Sequence, residues 1–268
     1  MKMNIVTKVL VANGVDFTEE TGYKNGKFQR KIQLKKHNNV APLLWESQLE
    51  KINSEEELLK IIEEATEECP DFDVQVIGSW EYAKTHVIPC VRRKTNEFDT
   101  IVKFYPARYE DIEVYYRVIV NDKGSYIVRP EDLKAWNIDE DILDRFAKLN
   151  FQCKSVIKDM FTILSNEFGI ALPTPCGESR MYVATTNDMR FGGSYLVMTD
   201  LITDFCYRHN YKHVILIPSS IHEIIIVPVS DEDTMIDKDI ITEMVREVNA
   251  TEIEEDEQLS DRAYDFFL

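Results

Sequence analysis

His213-Val-Ile-Leu-Ile-Pro-Ser219-Ser220-Ile-His222-Glu223-Ile-Ile-Ile-Val-Pro228 is the stretch on which the reading of this chain turns. Val214 to Ile217 and Ile224 to Val227 are rich in β-branched residues and bounded by prolines, the pattern of two fully buried strands. The polar residues between them form the connection, a short hairpin turn or a crossing between neighbouring strands. Two hydroxyls, an imidazole and a carboxylate therefore stand together between apolar strands.

Working outward, Tyr195 to His209 reads as an amphipathic helix carrying Leu196, Leu201, Ile202 and Phe205, which should end near Asn210. Arg180 to Thr185 reads as a strand, so a parallel βαβ unit from 180–185 through that helix to 214–217 has the required length. A helix from about Asp233 to Val248 places Ile236, Ile240, Ile241, Met244, Val245 and Val248 on one stripe, expected to face inward. The last segment, Glu252 to Leu268, is acidic and then aromatic, and is expected to pack back as a short strand or tail.

Upstream, Phe28, Ile32 and Leu34 alternate with Lys27, Lys31, Gln33 and Lys35 as in a half-exposed strand, with Arg30 interrupting the apolar face. Asn25-Gly26 before it signals a turn, and Val40 to Trp45 reads as a second strand. Ser54 to Glu57 is a capping box opening a helix that Cys69-Pro70 ends. Residues 71 to 82 read as helix and 85 to 105 as short extended pieces. Glu113 to Val120 and Ser125 to Val128 form a hairpin around Asn121 to Gly124. Pro130 opens a helix, and Asn137-Ile-Asp139 stops it and caps the next. Residues 140 to 149 and 154 to 168 then read as two helices, with Gly169 closing the second.

The chain has 268 residues and a net charge of -17, and the charge is polarised. Residues 1 to 134 carry 20 Lys/Arg against 23 Asp/Glu, whereas residues 135 to 268 carry 11 against 25. From Val229 onward, 14 acidic residues face 3 basic ones. An acidic surface repels phosphates, so direct nucleic-acid binding is not expected. The bland interpretation is a hydrated, soluble surface. The sharper one is a face for a basic protein, including mimicry of nucleic acid. No apolar run approaches the ~18 residues that span a bilayer, and the N-terminus lacks the pattern of a signal peptide. The five scattered cysteines (Cys69, Cys90, Cys153, Cys176, Cys206) suit reduced thiols in a cytoplasm better than a disulfide framework.

Ser219, Ser220, His222 and Glu223 could supply a nucleophile, a base and an orienting acid. Triads usually draw these groups from separate elements, and no nucleophile-elbow glycines surround the serines. The structural alternative is that the hydroxyls satisfy backbone groups and His222 caps the turn. Cys206, His209 and His213 have helical spacing that could hold zinc, but the helix should end before His213 and no fourth ligand is visible. Arg92-Arg93-Lys94 and the Lys24 to His37 region form basic patches of the kind that keep sheet edges from pairing. Gly192-Gly193 before a helix could cradle a phosphate but lacks the remainder of a P-loop. No cofactor signature is present.

The motif Ile217-Pro-Ser-Ser-Ile-His-Glu-Ile-Ile-Ile-Val-Pro228 resembles the hallmark of a bacterial family filed as domain of unknown function 5688. A similar Pro-Ser-Ser-x-His-Glu core occurs in a related uncharacterised bacterial family. Similarity extends to Val114-Tyr-Tyr-Arg-Val-Ile-Val120, Leu133-Lys-Ala-Trp-Asn-Ile-Asp139, Met181-Tyr-Val-Ala-Thr-Thr-Asn187, Met244-Val-Arg-Glu-Val-Asn-Ala250 and Leu259-Ser-Asp261. Gly192-Gly193-Ser194 matches the small residues that precede the long helix in that family. The resemblance implies a match from about residue 28 to the C-terminus and a cytosolic bacterial or phage setting, without an activity.

These readings predict an α+β fold with mixed or antiparallel sheets and helices on one face. Two subdomains, 1–110 and 111–268, are expected, with a soft boundary near 105 to 112. The expected function is a non-catalytic binding or regulatory factor working through protein contacts. A hydrolase using Ser219 or Ser220 with His222 and Glu223, and an acidic nucleic-acid mimic, are the alternatives.

Overall fold

A computed structural model describes residues 1–24, 27–35, 41–67, 73–94, 101–121, 124–168, 181–229 and 238–268. The expected Asn25-Gly26 turn, the Cys69-Pro70 and Gly169 helix ends, Cys176, Arg180, Asp233 and Ile236 lie outside them. The fold is α+β with antiparallel sheets, and the chain forms two compact units, Met1–Ser79 and Trp80–Leu268. The boundary expected near 105 to 112 lies instead inside the second unit, between two strands that pair with each other. Among the described residues, no helix is long and apolar enough to cross a membrane.

The first unit opens with α1 (Met3–Ala12), a helix not anticipated from the sequence, whose Met3, Val6, Val9 and Leu10 are buried. Next come β1 (Phe17–Lys24), β2 (Lys27–Leu34) and β3 (Leu43–Trp45), an antiparallel sheet in that order. Three short helices follow: α2 (Glu46–Glu50), α3 (Glu55–Glu67) and α4 (Val74–Ile77). In β2 only Ile32 and Leu34 of the expected apolar face are buried, while Phe28 is exposed. Arg30 does not interrupt a core face, because it pairs with Glu46 and Glu19 beyond the core. Half of the expected capping box holds: Ser54 Oγ accepts from Glu57 N–H at 3.1 Å, whereas Glu57 Oε2 accepts from the N–H of Asn53, one residue before the cap, at 2.9 Å.

The second unit begins with α5 (Trp80–His86), separated from α4 by Gly78 and Ser79, so the helix expected over 71 to 82 is two helices. Strands β4 (Val87–Arg93), β5 (Lys103–Phe104), β6 (Ile112–Ile119) and β7 (Ser125–Ile127) form the second sheet. β6 lies inside it, with β4 on one side and β5 and β7 in succession on the other. β4 is an edge strand and tolerates Pro89. Its Arg92 is no surface gatekeeper, however. It is 3% exposed and ion-paired at 2.5 Å with Glu113, a fully buried residue. Arg93 pairs with Asp261 at 2.9 Å.

Then come α6 (Pro130–Trp136) and α7 (Glu140–Lys154). Between them Asn137 takes a left-handed φ of 55° and Asp139 caps Ile142 N–H at 2.8 Å, as expected. After α7 the second expected helix is divided. Residues Ser155–Asp159 form β8, an edge strand paired with β9, and only Met160–Phe168 is helix (α8).

The third sheet combines β8, β9 (Tyr182–Thr186), β10 (His213–Ser220), β11 (Glu223–Val229) and β12 (Tyr264–Phe267) in the order β12-β10-β11-β9-β8. A 3-10 turn (Gly192–Val197) and α9 (Thr199–His209) connect β9 to β10, so the helix starts later than expected. β9 and β10 run in the same direction, but β11 lies between them, antiparallel to both. The expected βαβ unit is thus split by a strand that arrives later in the chain. α10 (Lys238–Thr251) precedes β12.

Candidate functional site

The β10–β11 hairpin has a two-residue loop, Ile221-His222, closed by the Ser220–Glu223 pair. Neither loop residue has positive φ, so this is not one of the mirror-image turns that favour Asn-Gly. The register shifts between Ile217 and Ser220, where Pro218 withholds an N–H from the ladder. Alternation then sorts the strands. Val214, Leu216, Ile224 and Ile226 enter the main core, while Ile217, Ser219, Glu223, Ile225 and Val227 stay half-buried on the opposite face. The second face is fully buried only in part, at Ile215, a correction to the expected burial of both faces throughout.

This sorting separates the two serines. Ser219 Oγ donates to Glu223 Oε1 at 3.1 Å on the half-buried face. Ser220 is 8% exposed, and its Oγ accepts from His222 N–H at 3.0 Å within the turn. His222 Nδ1 accepts from Phe191 N–H at 3.3 Å, so the ring carries its proton on Nε2 and its basic nitrogen is in use. Among the described residues, no hydrogen bond joins the imidazole to either serine hydroxyl.

The loop backbone is tied on every side. Ile221 N–H donates to Glu257 O at 2.9 Å, and Ile221 O accepts from Gly193 N–H at 3.0 Å. His222 O accepts from Gly192 N–H at 2.9 Å and from Thr185 Oγ1 at 2.8 Å. The Gly192-Gly193 amides, read from sequence as a possible phosphate cradle, are thus engaged by hairpin carbonyls. Phe191 holds a left-handed φ of 61°, uncommon for a bulky residue, which directs three successive N–H groups at the loop. The sequence signal for this latch was the glycine pair, whose partner lies thirty residues downstream.

The other candidates do not converge. Cys206 faces the core, and burial raises its thiol to about 11. His209 ends α9 and stacks on Tyr211, with centroids 5.6 Å apart. His213 lies on β10, bonds Asp265 at 2.9 Å and stacks on Phe267. Asn210, left-handed at φ 58°, stops the helix and rotates His213 away from the other two. Among the described residues, no three metal-ligating side chains cluster.

The sequence reading missed a groove. A cavity of about 390 Å³ lies between the half-buried face of β10–β11 and α10. Ile217, Ile225 and Val227 line it from the sheet, Ile241, Met244 and Val245 from the helix, and among the described residues Ser219 and Asn249 are its polar side chains. The α10 stripe was expected to be buried. Instead Val245 and Asn249 are buried, whereas Ile240, Met244 and Val248 are 59%, 57% and 47% exposed. The apolar arc is wider than the contact the helix makes, so one row packs inward and the next, spaced i, i+4, i+8, forms a wall of the groove.

The chain matches the family of unknown function DUF5688 over residues 32–267 and belongs to that family. No curated protein and no solved structure matches it.

Proposed function

We propose that this chain is a non-catalytic binding protein that takes apolar side chains of another protein into the groove between β10–β11 and α10. The observation carrying this reading is the groove, whose size and apolar lining with a few polar groups suit a binding cleft. The Pro-Ser-Ser-Ile-His-Glu motif serves it structurally by locking the loop end of the hairpin whose strands form the floor. Free thiols at Cys90, Cys153 and Cys206 support a reducing, cytoplasmic setting. The test is methyl-resolved NMR during titration with Nile red, an apolar dye without net charge. Shifts confined to Ile217, Ile225, Ile241 and Met244 support the reading, and unperturbed methyls there reject it.

A second reading rests on Ser219, whose hydroxyl borders the groove and donates to a carboxylate. A hydrolase built on that pair would be labelled by a fluorophosphonate probe at Ser219. Labelling absent from wild type, or unchanged in Ser219→Ala, counts against it.

A further inference from the structure

Resting on that reading, we infer that the groove receives a basic amphipathic helix from a partner protein. The exposed row Ile240, Met244, Val248 runs over nine residues of α10, about 12 Å, a length covered by two to three turns of a second helix. A helix laid in an apolar groove presents anchors at i, i+3/i+4 and i+7, a spacing compatible with that row. Ile217, Ile225 and Val227 supply the floor for those anchors.

Charge selects the sign of the partner. Residues 238 to 257 hold eight carboxylates and two cations. Both cations are already engaged, Lys238 with Asp265 at 3.0 Å and Arg246 with Glu243 at 2.8 Å. Glu243 and Glu247 lie one residue before Met244 and Val248, on the exposed side of the helix. An incoming segment that buries apolar anchors here therefore brings its flanks against carboxylates. Lysine or arginine flanks are favoured and acidic flanks are repelled, which gives selection among helices of equal apolar content. An acidic helix or a neutral lipid chain would satisfy the floor but not the rim.

The experiment uses the full chain and two synthetic amphipathic peptides of about 18 residues, or five turns. They share one leucine face and differ in carrying lysine or glutamate elsewhere. Binding is read by fluorescence anisotropy for wild type, Met244→Asp and Ile240→Asp, with a hydrophobic dye titrated alongside. The leucine–lysine peptide should bind at least about tenfold more tightly than its acidic counterpart, a 1.4 kcal/mol difference. Met244→Asp and Ile240→Asp should weaken it although each adds negative charge, and both sites are exposed enough to leave folding intact. Diffuse attraction to an acidic protein predicts the opposite sign. Affinity unchanged or raised by these substitutions overturns the inference. Equal binding of the two peptides overturns it too, as does binding of neither while the dye still occupies the groove; in both cases the groove reading survives. Dye binding that ignores Met244→Asp rejects the groove reading itself.

Discussion

Gly192 donates its N–H to the carbonyl of His222 at 2.9 Å, and a Cβ on Gly192 would collide with that same oxygen while standing 2.5 Å from Thr185 Cα. Both obstacles are backbone and cannot rotate aside. The pair therefore couples the loop of the hairpin to the turn before α9 through a position that only glycine occupies without displacement.

Gly192→Ala is expected to destabilise the protein by about 2–3 kcal/mol, the upper part of the range for forcing extra volume into a packed site. Gly193→Ala should cost less, because two of its three nearest neighbours are side-chain atoms of Leu259 and Val91 at 3.0 Å. Urea unfolding of the two variants measures this order directly.

The elements with strong local patterning were legible: the hairpin from its β-branched runs, the α6–α7 break from Asn137 and Asp139, and the α3 cap from Ser54 and Glu57. β8 was not, because Ser155 to Asp159 follows a helix without a breaker and Val156-Ile157 suits either state. Its strand state comes from pairing with Tyr182 to Thr186, a tertiary fact. The latch was half legible. Its residues stood out by type, but the bonds from Phe191, Gly192 and Gly193 join segments thirty residues apart. The groove was hidden for another reason. Periodicity shows which residues of α10 are apolar, not how much of that arc the sheet covers.

The two serines should behave oppositely. Ser220→Ala removes the buried acceptor of His222 N–H and is expected to cost about 1 kcal/mol. Ser219→Ala removes a half-buried bond to Glu223 and should stay within about 0.5 kcal/mol of wild type. Thermal and urea midpoints together check the contrast.

Acid should loosen the C-terminal strand. Burial raises the Asp265 carboxyl, but hydrogen bonds from Lys238 and His213, with their charges, outweigh it and hold the group below the usual carboxylate range. A depressed folded value stabilises above the unfolded value of about 3.9, and that stabilisation is lost as pH falls through the lower folded value. Asp265→Asn should lose about 1 kcal/mol at pH 7 and show a shallower decline below about pH 4. Urea unfolding across pH, compared with wild type, measures both.

Thiol reactivity should be selective. Burial pushes the Cys90 thiol up to about 12, against the lowering influence of Arg117 and Arg190, and the Cys206 thiol to about 11, whereas Cys153 is exposed. Among these three, iodoacetamide at neutral pH should modify Cys153 in the folded protein and reach Cys90 and Cys206 only in denaturant. Peptide mapping by mass spectrometry resolves each site.

The central claim is that binding belongs to the groove and the serine motif to its support. Titrating the uncharged apolar dye Nile red into wild type, Ser219→Ala and Met244→Asp tests it most directly. Ser219→Ala should bind within about twofold of wild type, and Met244→Asp at least about tenfold more weakly at an unchanged melting temperature. Equal dye affinity in all three proteins would contradict the account.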